Sequence, residues 1–423
     1  MKKRTPQLGR SFACIMMSWA MTAWGTAAAL LLTAPAVSLL NAQESPAPTG
    51  WEPAGLPALN YDSDEGFGYG VLLELYNYGD GGYSPYRFTL QPTVFLTTGG
   101  RREFTLFFDA PHLLPEGWRI DASVGNRRQF AIPYYGLGNT SVYDALLEDT
   151  EGPYYYRYGG TQRQAAVNVQ RSLGNTALRV LVGVGATHTD VDPLPKDATA
   201  TLLDQVIANA GMPGSIPETI PGGWSNHLRG GLVWDTRDRE TGPHRGTWSE
   251  VLVQVVPEFL GSESGYIRWT LVDRRYVPLG DRLTFVNRII VQDVRGDAPF
   301  YDLSIIQTSF KQREGLGGSR TLRGIPRNRY VGKGLFLWNA ELRWHATDFT
   351  VMGRSFHMIL STFVDTGRVW EDGLVLGELL SDLHTAFGGG LRVGFGENFV
   401  AGLDVGHSSE SSAALYINTG YIF

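Results

Sequence analysis

The chain is 423 residues long, with 52 glycines, 12% aromatic and 18% charged residues, and a formal net charge of -6. That texture excludes a disordered tail and an ordinary helical enzyme, and without a basic cluster it excludes a nucleic-acid binder. A single cysteine, Cys14, excludes a disulfide framework.

In chain order, Lys2, Lys3, Arg4 and Arg10 precede an apolar run from Phe12 to Leu40, and Asn41-Ala42-Gln43 offers a small-residue cleavage point. Residues 1–42 therefore read as a signal peptide removed on export, taking Cys14 with it. An uncleaved anchor is the alternative, since about 20 apolar residues suffice to span a bilayer. A short Pro/Ser/Ala linker at 43–54 follows, too short for a periplasmic domain of ordinary size. Beyond it no stretch approaches the roughly 18 consecutive apolar residues of a spanning helix, so a membrane crossing by residues 55–423 requires a closed barrel.

Alternation of apolar and polar residues at period two supports this reading. Phe88, Leu90, Val94 and Leu96 interleave with Arg87, Thr89, Gln91 and Thr93, and Trp118, Ile120, Ala122 and Val124 with Arg119, Asp121 and Ser123. Such segments fall near 55–61, 66–78, 84–97, 102–113, 117–131, 157–173, 176–190, 225–237, 246–259, 264–277, 281–295, 333–346, 356–370, 383–395, 397–408 and 412–423. Sixteen strands, an even number, suit a bacterial barrel, although the first is short and weak. Alternation alone does not separate a sandwich from a barrel. The signal peptide, the single long run of strands, the aromatic content and Phe423 favour an all-β, antiparallel transmembrane barrel of the outer membrane, with lipids outside and a polar lumen. Long intervals at 132–156, 191–224 and 296–332 share one rhythm in the strand count, as extracellular loops do.

The most informative interval contains Leu316-Gly317-Gly318-Ser319-Arg320-Thr321-Leu322-Arg323-Gly324-Ile325, followed forty residues later by Phe363-Val364-Asp365-Thr366-Gly367. An arginine on a glycine-flanked loop and a carboxylate on an inward strand face are what a loop folded back into the lumen needs for anchorage, because a buried guanidinium without a counter-charge is costly. Parity agrees. With Trp338, Leu342 and Trp344 facing lipid, Glu341 faces the lumen; with Met358, Leu360 and Val364 facing lipid, so does Asp365.

These motifs, with Asn339-Ala340-Glu341-Leu342-Arg343, Trp234-Asp235-Thr236-Arg237-Asp238, Pro243, Arg245-Gly246 and Tyr134-Tyr135-Gly136-Leu137-Gly138-Asn139, resemble the Omp85 superfamily of outer-membrane assembly barrels, also called bacterial surface antigen D15. The resemblance covers the whole barrel. It implies that the loop at about 296–332 folds into the lumen, with Gly317, Gly318, Leu322, Arg323, Gly324 and Ile325 as its motif and Glu341, Asp365 and Gly367 as wall residues that anchor it. The family usually has valine or isoleucine before the Arg-Gly and an aromatic after it, where this chain has Leu322 and Ile325. It also usually carries POTRA domains, so the chain looks like a member without them.

Leu415, Ile417, Tyr421 and Phe423 read as one face of the last strand and resemble the terminal signal of outer-membrane barrels. Gly420 matches the place where the family's last strand kinks and unpairs from the first, implying a lateral seam. The resemblance implies a role in outer-membrane assembly or translocation, with lipids and unfolded outer-membrane or secreted proteins as partners.

Other chemistry is sparse. The histidines at 112, 188, 227, 244, 345, 357, 384 and 407 form no metal-binding pattern, and no cofactor or metal is expected. Two further readings stay open: a passive pore, and a membrane-embedded hydrolase built around Asp404, His407 and Ser408.

Overall fold

The computed structural model describes residues 48–62, 66–192, 201–208, 222–310, 313–395 and 399–423. The expected signal peptide and most of the loop at 191–224 lie outside those residues. The strands are β1 (Gly50–Asp62), β2 (Gly66–Gly79), β3 (Phe88–Thr97), β4 (Arg102–Ala110), β5 (Trp118–Pro133), β6 (Arg157–Ser172), β7 (Leu178–Asp192), β8 (Gly222–Asp235) and β9 (Gly246–Val256). They continue with β10 (Tyr266–Pro278), β11 (Leu283–Gly296), the two-residue β12 (Ile305–Ile306) and β13 (Arg313–Glu314), then β14 (Gly334–Val351), β15 (Arg354–Trp370), β16 (His384–Phe395), β17 (Phe399–His407) and β18 (Ala414–Thr419).

Sixteen of these form one antiparallel sheet in sequence order from β1 to β18, broken only where β12 and β13 pair with each other inside the connection between β11 and β14. The sixteen segments marked by alternation are the sixteen strands of this barrel. Along β10, Ile267 and Leu271 are exposed while Arg268 and Thr270 are buried, so apolar side chains face the lipid and polar ones the lumen. Register follows this alternation, because a one-residue slip would turn the arginines outward.

Two expectations change. β1 is not a short strand: it begins at Gly50, inside the expected linker, and pairs with β2 along its length. The short terminal strand is β18, with six residues. β1 and β18 approach each other at the ends of the sheet, yet no ladder joins them among the described residues. Of the two end strands the shorter is thus β18.

The connection 297–333 does not run over the surface. It enters the lumen as a short helix, Phe300–Leu303, the β12–β13 pair and a bridge between Leu316 and Tyr330. There Ile306, Leu316, Leu322, Ile325 and Tyr330 pack with Val272, Ile290, Leu337, Val369 and Ala386 from the wall, giving the barrel an apolar core on one side.

Candidate functional site

Glycine builds the tip of the lumen loop. Gly317 has φ +109°, and a Cβ there would lie 1.9 Å from the Pro326 carbonyl oxygen. The turn closes through the Gly318 N–H donating to the Ile325 carbonyl at 2.9 Å and the Thr321 hydroxyl donating to the Gly315 carbonyl at 2.8 Å. Gly324, also at positive φ, lies against the backbone of Gly406 and His407, where any Cβ would come within 3.0 Å. This close approach brings Arg323 to the wall. Leu322 and Ile325, the departures from the family pattern, are both buried and fill their apolar seat.

The Arg323 guanidinium grips Asp365 with two nitrogens, Nε–Oδ2 at 2.8 Å and Nη2–Oδ1 at 3.0 Å, and donates from Nη1 to Glu341 Oε2 at 2.8 Å. Its backbone N–H also donates to Asp365 Oδ2, at 3.1 Å. All three side chains are at most 1% exposed. Burial alone would lower the basicity of Arg323, but Asp365 and Glu341 more than offset that and hold it above its ordinary value.

Several partners in this cluster were not marked from sequence. Arg343 donates to Glu341 at 2.8 Å, Arg392 to Asp404 at 2.8 Å, and Asp404 lies 3.7 Å from Arg323. Three arginines thus pair with three carboxylates in one network, the condition under which buried ions are tolerable. Asn339 donates to Asp365 at 2.7 Å, and the Phe363 ring lies 3.3 Å from Arg323 Cζ. The signal for Asn339 and Phe363 was the same parity that placed Glu341 and Asp365. Gly367 leaves room for Leu316, whose Cδ1 would be 3.3 Å from a Cβ there.

The loop is fastened elsewhere too. Asp302 accepts from Ser225 at 2.7 Å and Tyr266 at 2.9 Å, and Arg229 donates to the Thr308 carbonyl at 2.9 Å. Arg329 reaches Glu410, before β18, at 2.8 Å. The same Arg329 donates to the Ser141 hydroxyl at 2.8 Å. The Tyr-Gly-Leu-Gly-Asn segment is thereby drawn over the lumen loop as a strap. Gly138 N–H donates to the Val331 carbonyl at 2.7 Å, Asn139 Nδ2 to the Asp382 carbonyl at 2.8 Å, and Asn139 Oδ1 accepts from Val369 N–H at 3.0 Å.

Toward the other end of the barrel the β8–β9 connection turns inward. Arg237 pairs with Asp235 at 2.9 Å and lies over Trp248, while Glu240 accepts from Arg119, which also grips Asp109. Burial would raise the Glu240 carboxyl, but Arg119, then Arg237 and Arg179, hold it down at about 2.

The expected terminal face divides. Leu415 and Ile417 face outward, but Gly420, at φ +71°, turns the chain, and Ile422 and Phe423 are buried against Tyr276 and Val286 in the lumen. Tyr421 and Phe423 therefore do not lie on the lipid face with Leu415 and Ile417. A cavity of about 1520 Å³ occupies the part of the lumen that the loop leaves open, bounded by Tyr76 and Arg127 on the early strands and by Tyr416 on β18. Asp404, His407 and Ser408 form no triad. His407 is exposed, Ser408 donates to the Gly324 carbonyl at 2.6 Å, and Asp404 belongs to the arginine network.

Residues 88–398 match the Omp85 superfamily domain. Among solved structures, BamA from Haemophilus ducreyi lacking POTRA domains 1-3 superposes with a TM-score of 0.53 at 13% identity, over 88% of this chain and 70% of that one. CdiB from Escherichia coli gives 0.54 at 11% identity over 88% of this chain and 62% of its own, so the chain spans less than two thirds of that relative. At such identities the likeness is one of fold. No curated protein matches. With the domain match covering most of the barrel, the chain belongs to the Omp85 superfamily.

Proposed function

We propose that the protein is an integral outer-membrane barrel, exported through a cleaved signal peptide, that inserts or translocates polypeptides or lipids without chemical catalysis. The observation that carries this is the division of the lumen. One part is filled by a loop locked to the wall through Arg323, and another is a cavity that reaches β18, a short strand with no ladder to β1 among the described residues. A six-residue strand offers few ladder hydrogen bonds to hold the seam, and its unpaired edge is a template on which another strand can form. BamA and CdiB share the fold, which supports the assignment without naming the cargo.

The outer-membrane protein inventory of a strain lacking this chain tests the reading. Selective loss of other barrels or surface proteins is the expected result for polypeptide cargo, whereas an unchanged inventory with altered lipid content points to lipids. A disulfide engineered between β1 and β18 is expected to abolish activity; full activity with the seam locked would remove the lateral route. A passive pore is the second reading, favoured by the cavity alone. A large, steady single-channel conductance that Arg323→Ala leaves unchanged would support the pore.

A further inference from the structure

The wall strands do not all stop at one level. β11 begins at Leu283, opposite Trp344, whereas β14 runs on from His345 to Val351 and returns through Met352-Gly353 into β15. At 3.3 Å per residue this hairpin carries roughly 20 Å of strand past its neighbour. The His345 N–H still donates to the Arg282 carbonyl at 2.8 Å; beyond it β14 has no ladder on the β11 side among the described residues. The hairpin lies at the end of the barrel opposite the lumen loop, where the connections 173–177, 279–282 and 352–353 are short, as periplasmic turns are.

A β-bulge sets the face that this hairpin presents. Glu341 and Arg343 point into the lumen, and strict alternation would send Phe349 and Val351 there as well. The register shifts between His345 and Thr347, so Ala346 is an extra residue and the parity reverses beyond it. Phe349 and Val351 therefore lie outside, exposed, on the face of Trp344. The Phe349 ring stacks on that of its cross-strand partner Phe356 at 5.4 Å, and Phe356 lies 5.2 Å from Phe395. The turn is apolar too. Met352 is 98% exposed and has φ +50°, a conformation that two-residue hairpin turns normally give to asparagine or glycine. Arg354 borders the patch, its guanidinium 5.1 Å from the Phe395 ring and without a carboxylate partner among the described residues.

In water an apolar turn at the end of an unpaired edge is a liability, and a contiguous exposed apolar patch marks a contact surface. This one is continuous with Leu342, Trp344 and Leu360, the lipid-facing residues of the same two strands. An arginine at its border can keep its head at phosphate level while its stem follows the apolar surface. We propose that the tip of the β14–β15 hairpin inserts into the periplasmic leaflet of the membrane, with Phe349, Val351 and Met352 among the acyl chains and Arg354 at the phospholipid phosphates. The bilayer then reaches farther along β14 and β15 than along β10 and β11. The inference goes beyond the proposed function, because it requires a membrane-spanning barrel but no insertion or translocation activity.

The test places single cysteines in a Cys14→Ser background, labels them with bimane, and reconstitutes the whole protein in phosphatidylethanolamine/phosphatidylglycerol vesicles. Quenching by brominated acyl chains is compared with quenching by iodide present on both sides. Val351→Cys and Met352→Cys should be quenched by the brominated chains at least twofold more than Asp281→Cys on the neighbouring turn, and should be shielded from iodide. Thr350→Cys, on the other face of the hairpin, should behave like Asp281→Cys. Iodide quenching of Val351→Cys and Met352→Cys equal to that of Asp281→Cys overturns the proposal and leaves a periplasmic protein as the partner of the patch. Val184→Cys, exposed in the middle of β7, separates the two ways of failing. Acyl-chain quenching there but not at 351 and 352 sinks the hairpin contact alone, whereas none at any position sinks the spanning barrel with it. If Met352→Cys fails to fold, Val351→Cys against Thr350→Cys is held to the same criteria.

Discussion

Removing the Arg323 side chain is the most decisive perturbation of the barrel. Arg323→Ala deletes three charge-assisted bonds at 2.8–3.0 Å and leaves Asp365 and Glu341 in a site less than 2% exposed. Neither carboxylate is wholly abandoned: Asp365 keeps Asn339 and Glu341 keeps Arg343. Breaking a buried pair by deleting one partner costs about 3–5 kcal/mol, and the remaining donors place this case near the lower end. At about 2 °C per kcal/mol for a large domain, the unfolding midpoint should fall by about 6 °C, with the barrel still inserted. Asp365→Ala should cost less, because Arg323 retains Glu341. The double variant should be more stable than the sum of the singles predicts by about 1–3 kcal/mol, since it leaves neither charge orphaned. Thermal unfolding in detergent, followed by circular dichroism and by the gel shift of the folded barrel, reads all four proteins. Midpoints unchanged in both singles, or strictly additive losses, would refute the loop-anchor argument.

Gly324→Ala should destabilise by about 1–3 kcal/mol, because it combines a left-handed φ with a clash against the Gly406–His407 backbone; a normal midpoint would show that this contact yields easily. Asn139→Ala removes side-chain bonds to Val369 and Asp382 and should loosen the strap, seen as faster proteolysis within 134–156 at unchanged global stability. Glu240 carries a pH signature. Its carboxyl is depressed from 4.5 to about 2, so its contribution is fully present above about pH 4.5 and is lost as pH falls through about 2. Glu240→Gln should therefore lower the midpoint at pH 7 and converge with the natural protein near pH 2. Because 27% of the side chain is exposed, the effect should be smaller than that of Arg323→Ala.

Strand positions were legible because lipid outside and water inside impose a two-residue period on every strand, and the same period placed Glu341 and Asp365 on the lumen side. What that rule does not govern was not legible. The inward turn of residues 421–423 depends on Gly420 at positive φ and on Arg343 and Arg288, 80 and 134 positions before their partners Phe423 and Ile422, which no local pattern connects. The Arg119–Asp109–Glu240 node joins two adjacent strands to a distant hairpin, and only the fold brings them together. Asp404 looked like a possible catalytic acid because it is close in sequence to His407 and Ser408. Odd and even positions on one strand face opposite ways, so Asp404 and His407 could not meet there.

On the proposed function, the fastening of the lumen loop bears on how cargo would move. Its ties fall on strands around much of the barrel: Asp302 to β8 and β10, Thr308 to β8, Arg323 to β14 and β15, and Arg329 to the turn before β18. Several of these are buried charged contacts whose separate rupture would cost a few kcal/mol each, so ejecting the loop as a unit would require a large fraction of a typical folding free energy. A route that leaves the loop in place is far less expensive. The open part of the lumen would supply it, beside a terminal strand whose Tyr416 hydroxyl accepts from the Gly324 N–H of the loop and which has no ladder to β1 among the described residues. Movement of β18 and of the segment behind it would, on that function, widen the open part of the lumen with the contacts of Arg323 to Asp365 and Glu341 intact.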